Sequence, residues 1–228
     1  MKLHPTGLAV VVVFPSIAVF CLAHVLLNAS VAVSLVIAFL SAFVWADVWY
    51  FVHIIVTVVK PRPTHIQSVL DTHEYPALVS LNDIDRNGHF NNARYLRACQ
   101  YGRRAFWTAN GVWGLVCANG GNLIVGALSI RYRRELTFGQ WYNLRTRIRT
   151  WDNQAFYVEH QFVTGKADTL FVHAVVLVKN IVMGSLRPQE LMEMRQPGVA
   201  APPVDADVQG WIDSNAASSL MLRPKKST

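Results

Sequence analysis

Lysine and arginine are missing between Gly7 and Val59, a stretch that holds one acid, Asp47, and two histidines, His24 and His53. A water-facing domain surface needs charged groups, so this absence excludes an ordinary globular start to the chain. Cysteine is also scarce. Cys21, Cys99 and Cys117 form an odd, scattered set that fits neither a disulfide framework nor a metal-ligand spacing, and no metal or cofactor is expected. Acids are sparse in a second place. From Arg86 to Arg149 eleven arginines meet a single acid, Glu135, giving that segment +10 in a chain of formal net charge +7.

The uncharged run is long enough for two membrane passes of about 20 residues each. Gly7–Leu27 reads as the first, Asn28-Ala29-Ser30 as the turn, and Val31 to about Tyr50 as the second, with Trp45, Trp49 and Tyr50 as an interfacial belt. Phe51–Val59 is expected at the interface and Asp47 at headgroup depth. Lys2 before the hairpin and Lys60 and Arg62 after it place both ends in the cytoplasm by the positive-inside tendency. The alternative is a cleaved leader over Met1–Ala23, which would send the remainder into a lumen. Asn28-Ala29-Ser30 is formally a glycosylation acceptor, but it lies too close to the bilayer for that use.

Three parts follow: an N-terminal membrane anchor over 1–62, a folded domain over 63–183 and a helical tail over 184–228. After Pro61-Arg62-Pro63, a stiff exit, Tyr75–Ile84 reads as a strand and Asn92–Ala109 as a helix. Gly111, Gly114, Gly120 and Gly121 mark a loop. Leu123–Leu136, Trp141–Trp151, Gln154–Thr164 and Asp168–Val182 alternate as strands, separated by turn residues such as Asp152-Asn153 and Gly165-Lys166. A long helix between a first strand and a four-stranded antiparallel meander is an α+β pattern. Ser185–Gln196 and Val204–Leu222 read as helices, joined by a Pro- and Ala-rich linker, the second packing back on the domain. Lys225 and Lys226, third and fourth residues from the C-terminus, match a dilysine address for the endoplasmic reticulum, which works on a cytosolic tail.

Chemistry concentrates between Asp83 and Tyr95, where two carboxylates, an imidazole and three carboxamides meet a strand-to-helix junction. Asn87-Gly88 can turn the chain, and Asn91 or Asn92 can cap the helix. A helix N-terminus, with about half a positive charge, can then hold a carboxylate or polarise a carbonyl oxygen. Arg145, Arg147 and Arg149 alternate along one strand, as do Arg131 and Arg133 on the strand before it. Like charges so placed repel unless an anion is near, and the planar fork of arginine suits phosphate. Without a nucleic-acid motif, a nucleotide-bearing carrier or a lipid surface fits better than nucleic acid.

The run from Asp85 to Tyr95, Asp-Arg-Asn-Gly-His-Phe-Asn-Asn-Ala-Arg-Tyr, resembles the active-site signature of hotdog-fold thioesterases of the 4-hydroxybenzoyl-CoA and plant acyl-carrier types. Tyr132-Arg133-Arg134-Glu135 is similar to the second motif of the plant enzymes. Asp47-Val48-Trp49-Tyr50, Asn91 to Arg97, Trp151 to Tyr157 and Asp213 to Ser219 resemble the membrane-associated thioesterase superfamily member six group most closely. The resemblance implies a hotdog fold, an antiparallel sheet wrapped around one long helix. It also implies a homodimer or higher homo-oligomer and a substrate that is an acyl-CoA or acyl-carrier thioester. Asp85 becomes the base or nucleophile, Asn87 orients water or substrate, His89 and Glu135 assist, and Asp83 either stands behind the site or is a turn residue. Gly88 with its neighbours at the helix start offers N–H groups to the carbonyl oxygen. Asn91, Asn92 and Tyr95 complete the substrate side, with Arg145 and Arg147 for phosphate. The expected protein is thus a membrane-lipid-associated hydrolase of fatty acyl-CoA on the cytosolic face of the endoplasmic reticulum. A non-catalytic acyl-CoA or lipid-binding scaffold is the other reading.

Overall fold

The computed structural model describes residues 5–45, 47–50, 52–53 and 68–222. Lys2, Lys60, the Pro61-Arg62-Pro63 exit and the Lys225-Lys226 tail lie outside the described residues. The chain forms two units, Met1–Pro61 and Arg62–Thr228.

In the first unit, α1 (Pro5–Leu26) and α2 (Val31–Trp45) pack on each other. The expected turn is there. Asn28 takes a positive φ of 49°, which asparagine tolerates, and His24 Nδ1 donates to the Ala29 carbonyl oxygen at 2.8 Å. Phe14, Val25, Leu35, Phe39 and Val44 point outward and are exposed. α2 is shorter than the expected second pass. Asp47 Oδ1 accepts the Tyr50 N–H at 3.1 Å, and a side chain that takes a backbone donor in this way starts a new turn. Among the described residues no helix is long and apolar enough to cross a membrane.

The second unit is built on five antiparallel strands, β1 (His73–Leu78), β2 (Asn122–Tyr132), β3 (Trp141–Trp151), β4 (Ala155–Thr164) and β5 (Phe171–Met183), in the order β1-β3-β4-β5-β2. The expected four-stranded meander is corrected here. β3, β4 and β5 run as one, but β2 pairs with β5 and forms the far edge. The connection after β2 cannot be a hairpin, because Leu136 is fully buried and its carbonyl accepts the Phe90 N–H at 2.7 Å. That tie carries the chain across the end of the sheet before β3 begins.

α3 (Asn92–Ala109), with the bounds expected from its apolar spacing, lies on one face of the sheet, over β1 and β3. Gly102 is the contact point, since a Cβ there would overlap the Leu144 side chain. Two inward stripes result from the 3.6-residue period. Gly102 and Phe106 face β3 and β1, while Tyr95 and Trp107 meet Phe162 and Phe156 of β4. The glycine-marked loop after α3 contains a helix that the composition hid, α4 (Val112–Ala118). Asn110 Oδ1 accepts the Val112 N–H at 3.1 Å, and Val112 and Val116, one turn apart, are buried.

The tail belongs to this same unit, as α5 (Pro188–Arg195) and α6 (Ala206–Met221). α5 packs beside α4 on the α3 side, with Leu191 and Met192 buried against Phe106 and Trp107, and only the chain beyond it crosses the outer face of the sheet. Trp151 Nε1 donates to Gln189 at 2.9 Å, Thr150 donates to the Pro202 carbonyl at 3.0 Å, and Trp211 meets the edge of Tyr157. The anchor of this strap is Arg149, which bonds Glu159, Asp205 and Asp207 together. Glu159 is only 3% exposed and is also held by Arg147 at 2.8 Å. Arg149→Met is expected to cost about 3 kcal/mol in urea unfolding, because it strands part of a buried carboxylate's compensation. Asp205→Asn, at an exposed partner, should cost under about 1 kcal/mol.

His160 is fully buried, and burial together with the nearby Arg103 charge holds its pKa well below the ordinary imidazole value. The unfolded chain takes that proton near pH 6.5, so the folded state is undisturbed above that pH and loses stability below it. The expected slope for this one group is about 1.4 kcal/mol per pH unit. Burial lowers His73 and His173 in the same direction. Thermal unfolding followed from pH 8 to pH 5 should show a falling midpoint below about pH 6.5, with a shallower fall in His160→Gln.

Candidate active site

The loop from Asp85 to His89 closes on itself. Asp85 Oδ1 accepts the N–H groups of Asn87 at 2.8 Å and His89 at 3.3 Å. The Asp85 N–H donates to the His89 carbonyl at 2.9 Å, and the Gly88 N–H to the Asp85 carbonyl at 3.0 Å. Gly88 has φ +75°, where a side chain would be strained. Of the two readings of Asp83 the turn is the one seen, its Oδ2 accepting the Ser80 N–H at 2.9 Å and hydroxyl at 2.6 Å. One oxygen of Asp85 is therefore spent on shaping the loop. Oδ2 makes no hydrogen bond among the described residues.

At the helix start the choice between two caps is resolved. Asn91 Oδ1 accepts the Ala93 N–H at 2.9 Å, and the Asn91 N–H donates to the Asp83 carbonyl at 2.8 Å. Asn92 is exposed, its carbonyl accepting the Tyr132 hydroxyl at 3.0 Å. The expectation that Gly88 and its neighbours offer N–H groups needs correction. Every N–H from Asn87 to Asn91 already has an acceptor within the fold. The first without one is that of Asn92, at the positive end of the α3 dipole.

The second motif comes to the same place. His89 bridges Thr137, the Phe138 N–H donates to the Gly88 carbonyl at 3.3 Å, and Phe90 donates to Leu136. Glu135, one residue earlier, is exposed. His173, which the sequence pattern did not single out, sets its backbone. Its Nδ1 bonds the Glu135 carbonyl at 3.1 Å, so Nδ1 carries the hydrogen and Nε2 accepts from Thr164 Oγ1 at 2.8 Å. Burial lowers the His173 pKa, which keeps that tautomer neutral. The only sequence signal for it is a polar residue at a core-facing position of β5.

Tyr95 sits beneath the loop. It is packed among Phe90, Phe162 and Tyr132, and burial raises its hydroxyl pKa to about 12. It supports the first turn of α3 from the core. Arg145 and Arg147 are not brought to the site. Strand alternation puts them on the face opposite α3, where Arg145 pairs with Glu74 at 3.2 Å and Arg147 with Glu159. The anion that their spacing demanded is supplied by the chain itself. Arg133 and Arg134, by contrast, flank Glu135 and lie over the Phe171 ring at 5.3 and 4.1 Å, with no carboxylate partner among the described residues. No group of histidines, cysteines and acids able to hold a metal occurs among the described residues.

Residues 79–212 match the family model described as Thioesterase-like superfamily. Protein THEM6 of Danio rerio is 41% identical over 160 residues, covering 69% of this chain and 77% of the relative. Protein THEM6 of Xenopus laevis is 34% identical over 175 residues, covering 76% and 84%. Among solved structures, a mutant of 4-hydroxybenzoyl-CoA thioesterase complexed with 4-hydroxybenzoyl-CoA is 12% identical at a TM-score of 0.49, covering 55% of this chain and 99% of that one. With its helix laid on a five-stranded antiparallel sheet and its match running from Val79 through the Asp85 loop to α6, this chain belongs to the Thioesterase-like superfamily.

Proposed function

We propose that the protein hydrolyses the thioester of fatty acyl-CoA, releasing the free acid and the thiol. The observation that carries this reading is the joining of the Asp85–His89 loop to the Glu135 segment at the first turn of α3. In this mechanism Asp85 Oδ2 takes a proton from water as the oxygen attacks the thioester carbonyl. The Asn92 N–H and the helix terminus receive the negative charge that develops on the carbonyl oxygen. Collapse of the tetrahedral species breaks the C–S bond, and the proton passes to the departing sulfur. Asn87 and His89, exposed on the loop, orient the water, and Glu135 assists from the segment between β2 and β3. Arg133 and Arg134 replace Arg145 and Arg147 as the phosphate contacts, since the latter pair is occupied.

The setting of this reaction is a further part of the proposal. The outward apolar side chains of α1 and α2 and the absence of lysine and arginine from Gly7 to Val59 support an N-terminal membrane anchor. The cytosolic face of the endoplasmic reticulum is the location we propose for it. β2 is a long edge strand with exposed Ile124, Val125 and Leu128, and an unpaired edge of this kind supports a homodimer formed by strand addition.

Assayed against short, medium and long acyl-CoAs, the full chain is expected to hydrolyse at least one length class. Asp85→Asn should lower kcat by roughly a hundredfold or more, while Arg145→Gln leaves KM unchanged and Arg134→Gln raises it. An Asp85→Asn protein as active as the parent overturns the assignment. Acyl-CoA affinity without turnover in the parent returns the scaffold reading. For the anchor, alkaline carbonate should leave the full chain with membranes and release a protein lacking residues 5–45. Recovery of the full chain in the supernatant contradicts it.

A further inference from the structure

The stripe of α3 that faces β4 is Tyr95, Cys99, Arg103 and Trp107, one residue per turn. Three of the four are what a helix-sheet seam requires, buried and aromatic or thiol. Arg103 is not. Half-buried, it makes no hydrogen bond or ion pair among the described residues; it lies one turn beyond Cys99 and next to Gly102, whose open side faces the Thr146 hydroxyl that bonds His160. A half-buried guanidinium without a carboxylate partner is a position that an anion can occupy.

Its neighbours have the same deficit. His160 is fully buried, and its Nε2 has no partner. Its Nδ1 lies 2.9 Å from Thr146 Oγ1, and when that hydroxyl donates, Nε2 carries the hydrogen and is a donor. Trp107, one turn beyond Arg103, is 3% exposed, and its Nε1–H is likewise without an acceptor. All three groups can donate; among the described residues the two buried ones, His160 Nε2 and Trp107 Nε1, have no partner and Arg103 has no carboxylate. This polar position also lies where the core divides, between a cluster around Phe106, Phe156 and Leu191 and another around Tyr95, Leu144 and Phe162.

An apolar approach to it exists. Leu128, Ile130 and Tyr132 share the inner face of β2, and Leu128 and Tyr132 are still 43% and 41% exposed because α3 sits over β1 and β3 at the other side of the sheet. Along the helix, Asn92 and Arg103 are about 16 Å apart at ~1.5 Å per residue, the length of an extended acyl chain.

We infer that the α3–β4 seam is a binding position for a carboxylate at the end of an apolar chain, held by Arg103, Trp107 and His160, with the chain lying along the inner face of β2. The carboxylate has two sources, a free fatty acid or the distal end of a dicarboxylic acyl thioester. Only the second rests on the hydrolase reading.

The test uses the full chain in a non-ionic detergent, with calorimetric titration and thermal unfolding in dodecanoate and, as a control, dodecan-1-ol. Dodecanoate should bind and raise the melting temperature, and the alcohol should not. Arg103→Met should weaken dodecanoate binding by about ten- to a hundredfold, while its ligand-free melting temperature equals or exceeds that of the parent. A residue with a merely structural role would lower it. Trp107→Phe, which keeps the ring and removes the donor, should weaken binding several-fold and guards against a misfolded Arg103 variant. In a second arm the parent is offered dodecanoyl-CoA and the mono-CoA thioester of dodecanedioic acid. Preference for the diacid that disappears in Arg103→Met identifies the distal carboxylate, and dodecanoate binding with no such preference identifies the free acid. Failure of hydrolysis leaves the binding arm intact. No dodecanoate stabilisation of the parent, or unchanged affinity in both variants, overturns the inference.

Discussion

α3 meets the sheet at Gly102, where the absent Cβ lets the helix backbone approach Leu144 and Thr146 of β3. That seat fixes the height and the rotation of the helix together. Rotation decides which side chains enter the core, Phe106 toward β1 and Tyr95 and Trp107 toward β4. Height decides where the first turn ends, and Tyr95, wedged between Phe90 and Phe162, holds that turn from below. The loop carrying Asp85 is attached directly to this turn, so the geometry of the candidate site is inherited from the packing of the helix.

A second constraint is the satisfaction of backbone donors. The Asp85–His89 loop, the cap of α3 and the crossing segment at Leu136 exchange their hydrogen bonds almost completely among themselves. Such a loop is rigid without being buried, which leaves its side chains exposed to water and substrate at low reorganisation cost. It also leaves the Asn92 N–H, at the start of α3, without an acceptor among the described residues. His173 extends the arrangement by holding the Glu135 carbonyl from β5.

Charge is arranged by the same economy on the outer face. Arg145, Arg147 and Arg149 look like an anion-binding comb in one dimension, yet each meets a carboxylate from a neighbouring strand or from the tail. The pairing joins α6 to the sheet and removes these arginines from the inventory of substrate contacts. Arg103 is the opposite case, a half-buried cation on the β4-facing stripe of α3 with no carboxylate partner among the described residues.

Much of this was legible in the residues. The bounds of α3 and β3 follow from periodicity, because an apolar face of period 3.6 or 2 is a local property. The Asp85-to-Tyr95 cluster is local too, and its loop closes through bonds within five residues. Strand order was not legible, since whether β2 pairs with β3 or with β5 depends on Leu136 being buried beneath Phe90, a contact between distant segments. α4 was hidden because glycines that end one helix and begin the next resemble a loop in composition. The roles of Arg145, Arg147 and Tyr95 were beyond sequence as well, for alternation says that residues share a face without saying what opposes that face. By itself the sequence determined most of the elements, the residue types of the Asp85 loop and the family; the tertiary structure alone decided which charges are paired and which N–H groups and cations lack a partner among the described residues, because those depend on neighbours brought together only by folding.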